Sequence, residues 1–161
     1  MKNDEIGILN DYLESMPIKN PIAVTLTSRQ WNDGQALDEI YLERDITFFL
    51  NRLNYKLFRK GFSKHGKKLD VLPVIEGDRN TDFHCHLALE LPENLGLNEM
   101  EQHIRECWGK TRFGRANGNF AIKIEPKIDD GWRRYQLKEK TKADGVIPSI
   151  DWMNLSSSVM E

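Results

Sequence analysis

Phe83-His84-Cys85-His86-Leu87-Ala88-Leu89-Glu90-Leu91 is the stretch on which the reading of this chain turns. Its apolar and polar residues alternate with a period of two, the pattern of a β-strand. Successive strand side chains point to opposite faces, so His84 and His86 share one face while Phe83, Cys85 and Leu87 take the other. Pro92 ends the strand. Upstream, Gly77-Asp78-Arg79-Asn80 is a turn, and Leu69 to Ile75 (LDVLPVI) is a second strand, at an edge or irregular because Pro73 cannot donate to a ladder. The two make a hairpin.

The rest of the chain fits around that hairpin. Residues 5–16 are expected to form a short amphipathic helix stopped near Pro17. Ile22 to Thr27 (IAVTLT) is a β-rich strand, and Asn32-Asp33-Gly34 is a turn. From Leu37 to about Lys60 runs the longest helical pattern, with Ile40, Ile46, Phe49, Leu50, Leu53 and Leu57 inward and Gly61 closing it. Asn98 is placed as the cap of a helix reaching about Trp108, with Met100, Ile104 and Cys107 inward. Phe120 to Ile124 (FAIKI) is a fourth strand, and Asp129 or Asp130 starts a last helix carrying Tyr135 and Lys138. The order β-α-β-β-α-β-α predicts an α+β domain with a mainly antiparallel sheet and helices. A split βαβ arrangement would set the two middle strands side by side. We expect a single domain over 1–161, its core at about 20–142 and an irregular tail from about 145.

Composition narrows the class. The chain of 161 residues can bury a core without disulfides, and Cys85 and Cys107 read as reduced thiols. No signal-peptide pattern and no apolar stretch of membrane length stands out, which leads to the expectation of a cytoplasmic protein with no membrane partner. The net charge of −2 hides a segregation. Residues 51–68 hold seven Lys/Arg and no acid, and residues 110–142 hold ten against four acids. Such clustering creates a positive surface on a near-neutral protein, although it also describes solvated helix faces.

Two constellations carry chemistry. His84 and His86 offer two nitrogen donors to one ion, and Glu76 joins them if even positions of the hairpin pair with even positions; a one-residue slip would send it to the other face. Such a His-His-Glu set, with open positions, can bind phosphate oxygens as a Lewis acid. The competing readings are half-exposed strand histidines without a metal, and a structural zinc site closed by His103 and Cys107, which share a helix face. Cys107 also reads as a core thiol, and Glu90 as solvent-facing rather than a ligand. The second constellation is Tyr135-Gln136-Leu137-Lys138, which puts a phenol and an ammonium on one helix face. A phenol with a free pKa near 10 needs a cation or a polarised phosphate to act as a nucleophile. Arg133 and Arg134 add charge there, and Trp132 offers a stacking surface for a base. The bland alternative is a tyrosine packed on the sheet. Tyr12, Tyr41 and Tyr55 are weaker candidates. Gly61-Phe62-Ser63-Lys64-His65-Gly66-Lys67-Lys68 nearly matches a P-loop, but Lys68 stands where Ser or Thr must hold Mg²⁺ and the segment follows a helix. It reads as a basic loop whose Lys64, Lys67 and Lys68 contact nucleic acid.

Together, Ile22 to Thr27, His84-Cys85-His86 and Tyr135 with Lys138 resemble, in order, the three motifs of the HUH endonucleases. Within that superfamily they look like the single-tyrosine replication initiators (Rep) of rolling-circle replicons, over about residues 20–142. The resemblance implies the ferredoxin-like, RRM-like palm of those enzymes. It implies that His84, His86 and Glu76 hold Mg²⁺ or Mn²⁺ against the scissile phosphate of single-stranded DNA at an origin. Tyr135 would attack, leaving a 5′-phosphotyrosine and a free 3′-hydroxyl, with Lys138 orienting the phosphate or favouring the phenolate. The chain carries no ATPase motif, so a separate helicase is expected. The tyrosine helix lacks the second tyrosine of relaxases, and a transposase shares the same chemistry. Two readings from other classes stand beside this one: a non-catalytic nucleic-acid-binding module, and a zinc-stabilised interaction domain built on His84, His86, His103 and Cys107.

Overall fold

Alternation of apolar residues builds the sheet, and one long amphipathic helix covers it. In the computed structural model, which describes residues 7, 8, 10, 11, 14–78, 80–128 and 149–156, the strands are β1 (Pro21–Thr27), β2 (Trp31–Asn32), β3 (Gln35–Ala36), β4 (Val71–Glu76), β5 (His84–Glu90), β6 (Ile122–Glu125) and β7 (Ser149–Ile150). The helices are α1 (Glu39–Phe58), α2 (Lys60–His65) and α3 (Leu97–Gly109). Five strands form one antiparallel sheet in the order β6-β1-β5-β4-β7, while β2 and β3 make a separate hairpin around Asp33 and Gly34. The arrangement is α+β and ferredoxin-like: β1 and β4, joined through α1, lie on either side of β5. The two middle strands of the split βαβ unit are neighbours, as expected. Of the helix expected over 5–16, the described residues 7, 8, 10, 11, 14 and 15 are helical.

The two faces of the sheet differ. Ile22, Val24 and Leu26 of β1, Cys85, Leu87 and Leu89 of β5, and Ile122 of β6 point to the helices. They meet Leu42, Ile46, Phe49, Leu50 and Leu53 of α1 and Met100, Ile104, Cys107 and Trp108 of α3. The opposite face carries Thr25, His84, His86, Glu76 and a small apolar cluster of Ile18, Leu72, Val74, Ala88 and Ile150. Buried polar side chains tie the first layer together. Asp45 accepts the backbone N–H of Phe113 at 2.8 Å and of Arg112 at 3.3 Å, and Asn54 accepts that of Leu69 at 2.8 Å. Trp108 packs edge-on against Phe49, and its indole N–H donates to the Thr27 carbonyl at 2.8 Å.

Several boundaries depart from the sequence reading. Ile40 is exposed and Leu42 takes its place in the core. Six residues of helix rotate the chain by about 240°, so Ile40 cannot share a face with Ile46. Helix α1 stops at Phe58, not at Gly61. Arg59 adopts a positive φ and its N–H caps Tyr55, after which α2 restarts and ends on Gly66 in the left-handed conformation. The segment read as a basic loop is therefore a short helix followed by irregular chain. Helix α3 starts after Gly96, with no side-chain cap from Asn98. Strand β6 begins at Ile122, leaving Phe120 in the preceding loop. Pro73 sits in a strand that β7 flanks, because Val74 and Ile75 pair with Ile150 and Ser149. Residues 149–156 also dock on the sheet: Asp151 donates its N–H to Pro73, and Ser156 exchanges hydrogen bonds with Val71.

Candidate metal centre

The hairpin register brings the metal candidates together. Glu76 lies opposite His84, and Val74 opposite His86, so even positions pair with even positions and all three side chains share the face away from the helices. Their ligand atoms lie within 4.8 Å of one another. Glu76 Oε2 is 3.1 Å from His84 Nε2, and Glu76 Oε1 is 3.5 Å from His86 Nε2. The two imidazoles meet edge to face with centroids 4.9 Å apart. Glu76 is only 2% exposed and His86 5%, whereas the His84 side chain is 29% exposed, so the triad opens to solvent on the His84 side.

The far side of each ring is held. His84 Nδ1 lies 3.1 Å from the Asp82 carbonyl, which can only accept, so Nδ1 carries the proton. His86 Nδ1 lies 3.1 Å from Thr25 Oγ1, a hydroxyl that can accept its N–H or donate to its lone pair. Outer partners of this kind fix the tautomer of metal-ligating histidines and aim the other nitrogen. In the tautomer that binds a metal, with both Nδ1 atoms protonated, two Nε2 lone pairs and a carboxylate converge on one point. Three acceptors repel unless a cation or an added proton sits among them. Burial pushes the Glu76 carboxyl up, but the hydrogen bonds and charge of His84 and His86 outweigh it and hold it at about 2. The two histidines thus favour the anionic carboxylate, the form in which it acts as a ligand. The residues fit a divalent cation with two nitrogen and one carboxylate donors and open positions toward His84.

The backbone around the hairpin enforces this geometry. Gly77 follows Glu76 at φ +119°, and a Cβ there would lie 2.6 Å from Phe83 Cα and 2.7 Å from the Asp82 carbonyl oxygen. Only glycine lets the chain turn so tightly against the carbonyl that orients His84.

Other candidates are placed elsewhere. His103 and Cys107 sit on α3, across the sheet from His84 and His86; His103 lies 3.8 Å from Glu99, and Cys107 is part of the core. The four-ligand zinc site is therefore ruled out by the opposite faces of the sheet. Glu90 is half-buried and accepts the Asp70 N–H at 2.9 Å instead of facing solvent. Both cysteines are free and buried; burial pushes the Cys85 thiol well up, which keeps it inert. Tyr41 and Tyr55 lie on α1, on the far side of the sheet. Lys64, Lys67 and Lys68 are exposed and precede β4, at the end of that strand opposite to Glu76, roughly 17 Å away at 3.3 Å per residue. Tyr135, Lys138, Trp132, Arg133 and Arg134 lie outside the described residues. Sequence reasoning missed Thr25 and the Asp82 carbonyl as supports of the imidazoles. Alternation along β1 puts Thr25 on the histidine face, but only once β1 is known to pair with β5. Among the described residues, no helix is long and apolar enough to cross a membrane. No family model, no curated protein and no solved structure matches this chain.

Proposed function

We propose that the protein is a metal-dependent enzyme that nicks and rejoins single-stranded DNA, an HUH endonuclease of the single-tyrosine replication-initiator type. The observation that carries this reading is the buried Glu76-His84-His86 triad on the face of a ferredoxin-like sheet away from its helices. A bound Mg²⁺ or Mn²⁺ supplies Lewis-acid polarisation of a phosphate oxygen. His84 and His86, steered by Asp82 and Thr25, and Glu76 are the residues that hold it. In this reading Tyr135 Oη attacks the scissile phosphorus, loses its proton to solvent and forms a 5′-phosphotyrosine. The P–O3′ bond breaks and the 3′-oxygen departs as a hydroxyl on taking up a proton. Lys138 favours the phenolate form, Trp132 stacks on a base, and Arg133, Arg134, Lys64, Lys67 and Lys68 neutralise phosphates along the strand. Origin DNA of a replicon is the substrate and a separate helicase the partner, with the cytoplasm as the compartment; relaxation for conjugation and transposition use the same chemistry.

The test is a denaturing gel of the protein with single-stranded oligonucleotides tiled across the replicon that encodes it, in Mn²⁺. The reading requires a covalent adduct that disappears with Tyr135→Phe, with His86→Ala and with EDTA. Folded protein that binds these oligonucleotides without cleaving any of them would point to the non-catalytic binding module.

A further inference from the structure

A cleft of about 280 Å³ opens beside the triad, with His84 in its wall. Its other walls include Ser28 and Gln30 at the exit of β1, Phe83 at the entry of β5, and Arg115 and Phe120 from the loop before β6. The volume lies just under the roughly 300 Å³ at which drug-sized pockets begin, room for a single planar ring system. Phe120 is 93% exposed on this rim and Arg115 is also exposed.

Hydrogen bonds tie the backbone of the walls together. Gln30 bridges the two strands, donating to the carbonyls of Ser28 and Phe83 at 3.0 Å and accepting the Phe83 N–H at 2.8 Å. Thr27 holds the loop through its N–H and its hydroxyl, both donated to the Ala121 carbonyl, and accepts the Arg115 N–H at 3.1 Å. Gly114 lets the loop pass against α3, since a Cβ would come within 2.2 Å of the Trp108 carbonyl oxygen. An exposed aromatic ring and a guanidinium on the rim of one cleft match one nucleotide unit of a single strand.

We propose that this cleft is a nucleotide subsite for single-stranded nucleic acid, in which one base stacks on Phe120 while Arg115 contacts a flanking phosphate. The assignment rests on the nicking reading and deepens it. Because His84 belongs to both sites, a base seated here places its neighbouring phosphate at the open side of the triad. Asp82 on the same wall disfavours a phosphate on that side, which orients the strand toward Arg115.

Fluorescence anisotropy of a labelled 20-nucleotide oligodeoxythymidine, measured in EDTA, reads the subsite without the metal. Phe120→Ala and Arg115→Ala should each weaken binding about tenfold, and Phe120→Trp should restore it. With 5-iododeoxyuridine in the oligomer, photocrosslinked peptides should contain Phe120. Wild-type-like binding by both alanine variants overturns the subsite while leaving the nicking reading intact if the Mn²⁺ adduct persists. Failure of the wild type to bind the oligomer overturns the subsite too. A wild type that binds through Phe120 but forms no adduct keeps the subsite and removes the nicking reading. Displacement by deoxythymidine monophosphate at concentrations comparable to the oligomer would reassign the cleft to free nucleotides and overturn the strand assignment.

Discussion

Glu76 is the residue on which the metal centre depends. Replacing it by Gln removes the only charged donor among the described ligands while keeping the shape. Mn²⁺ affinity measured by calorimetry should fall at least tenfold, with the fold retained by circular dichroism. Metal that binds the folded state alone also raises the melting temperature, by an amount that grows with the logarithm of its affinity. The thermal shift given by Mn²⁺ in the wild type should therefore shrink in Glu76→Gln and vanish with EDTA. The same carboxylate links stability to pH. Unfolded, Glu76 protonates near 4.5; folded, it does so at about 2. Between these values the folded state binds fewer protons, so this contribution to stability is complete above 4.5, declines as pH falls and is gone below about 2. Denaturation of the metal-free protein should thus fall off less steeply across that window in Glu76→Gln than in the wild type. An unchanged slope would show that the histidines do not hold the carboxylate.

At the scale of the element, the β4–β5 hairpin aligns the donors, and Gly77 is its tightest point. A methyl group there meets backbone on two sides and sits at a φ that L side chains avoid. Gly77→Ala is expected to cost about 1–3 kcal/mol in urea unfolding. It should also weaken Mn²⁺ binding beyond what the stability loss explains, because the Asp82 carbonyl that aims His84 must move. A second element-scale test concerns the layer of α1 and α3. Trp108 joins the core to the Thr27 carbonyl. Trp108→Ala should destabilise by about 3–5 kcal/mol, whereas Trp108→Phe keeps most of the packing and should lose about 1 kcal/mol with the hydrogen bond. Helices α1 and α3 are further bridged by Lys56 and Glu106 at the surface, a contact of small weight.

On the scale of the whole molecule, the sheet needs cover on both faces. The helices supply one side; Ile18, Ile150 and residues 149–156 cover part of the other. Truncation after Lys142 would strip Ile150 and the Asp151 and Ser156 hydrogen bonds from β4, exposing Leu72 and Val74. The urea midpoint should fall and a hydrophobic dye should bind the shortened chain; equal midpoints would mean that the tail contributes nothing to the fold.

Much of this was legible in the chain itself. The alternation of Phe83 to Leu91 determined that His84 and His86 share a face, because strand side chains alternate whatever the strand pairs with. Ile46, Phe49, Leu50 and Leu53 marked the covering face of α1 through helical spacing alone, and the element order implied an antiparallel α+β sheet. Local chemistry failed where neighbours decide. Ile40 was misplaced because six residues cannot keep one helix face, and Gly61 because Arg59 takes the strained turn instead. Whether Glu76 faces the histidines depends on hairpin register, and a slip of one residue would have reversed it. The pairing of β1 with β5 brought Thr25 to His86, and the sheet set His103 and Cys107 on the far side from the histidines. Those outcomes rest on contacts between residues distant in sequence, whose energies no local pattern records; only the folded chain could decide them.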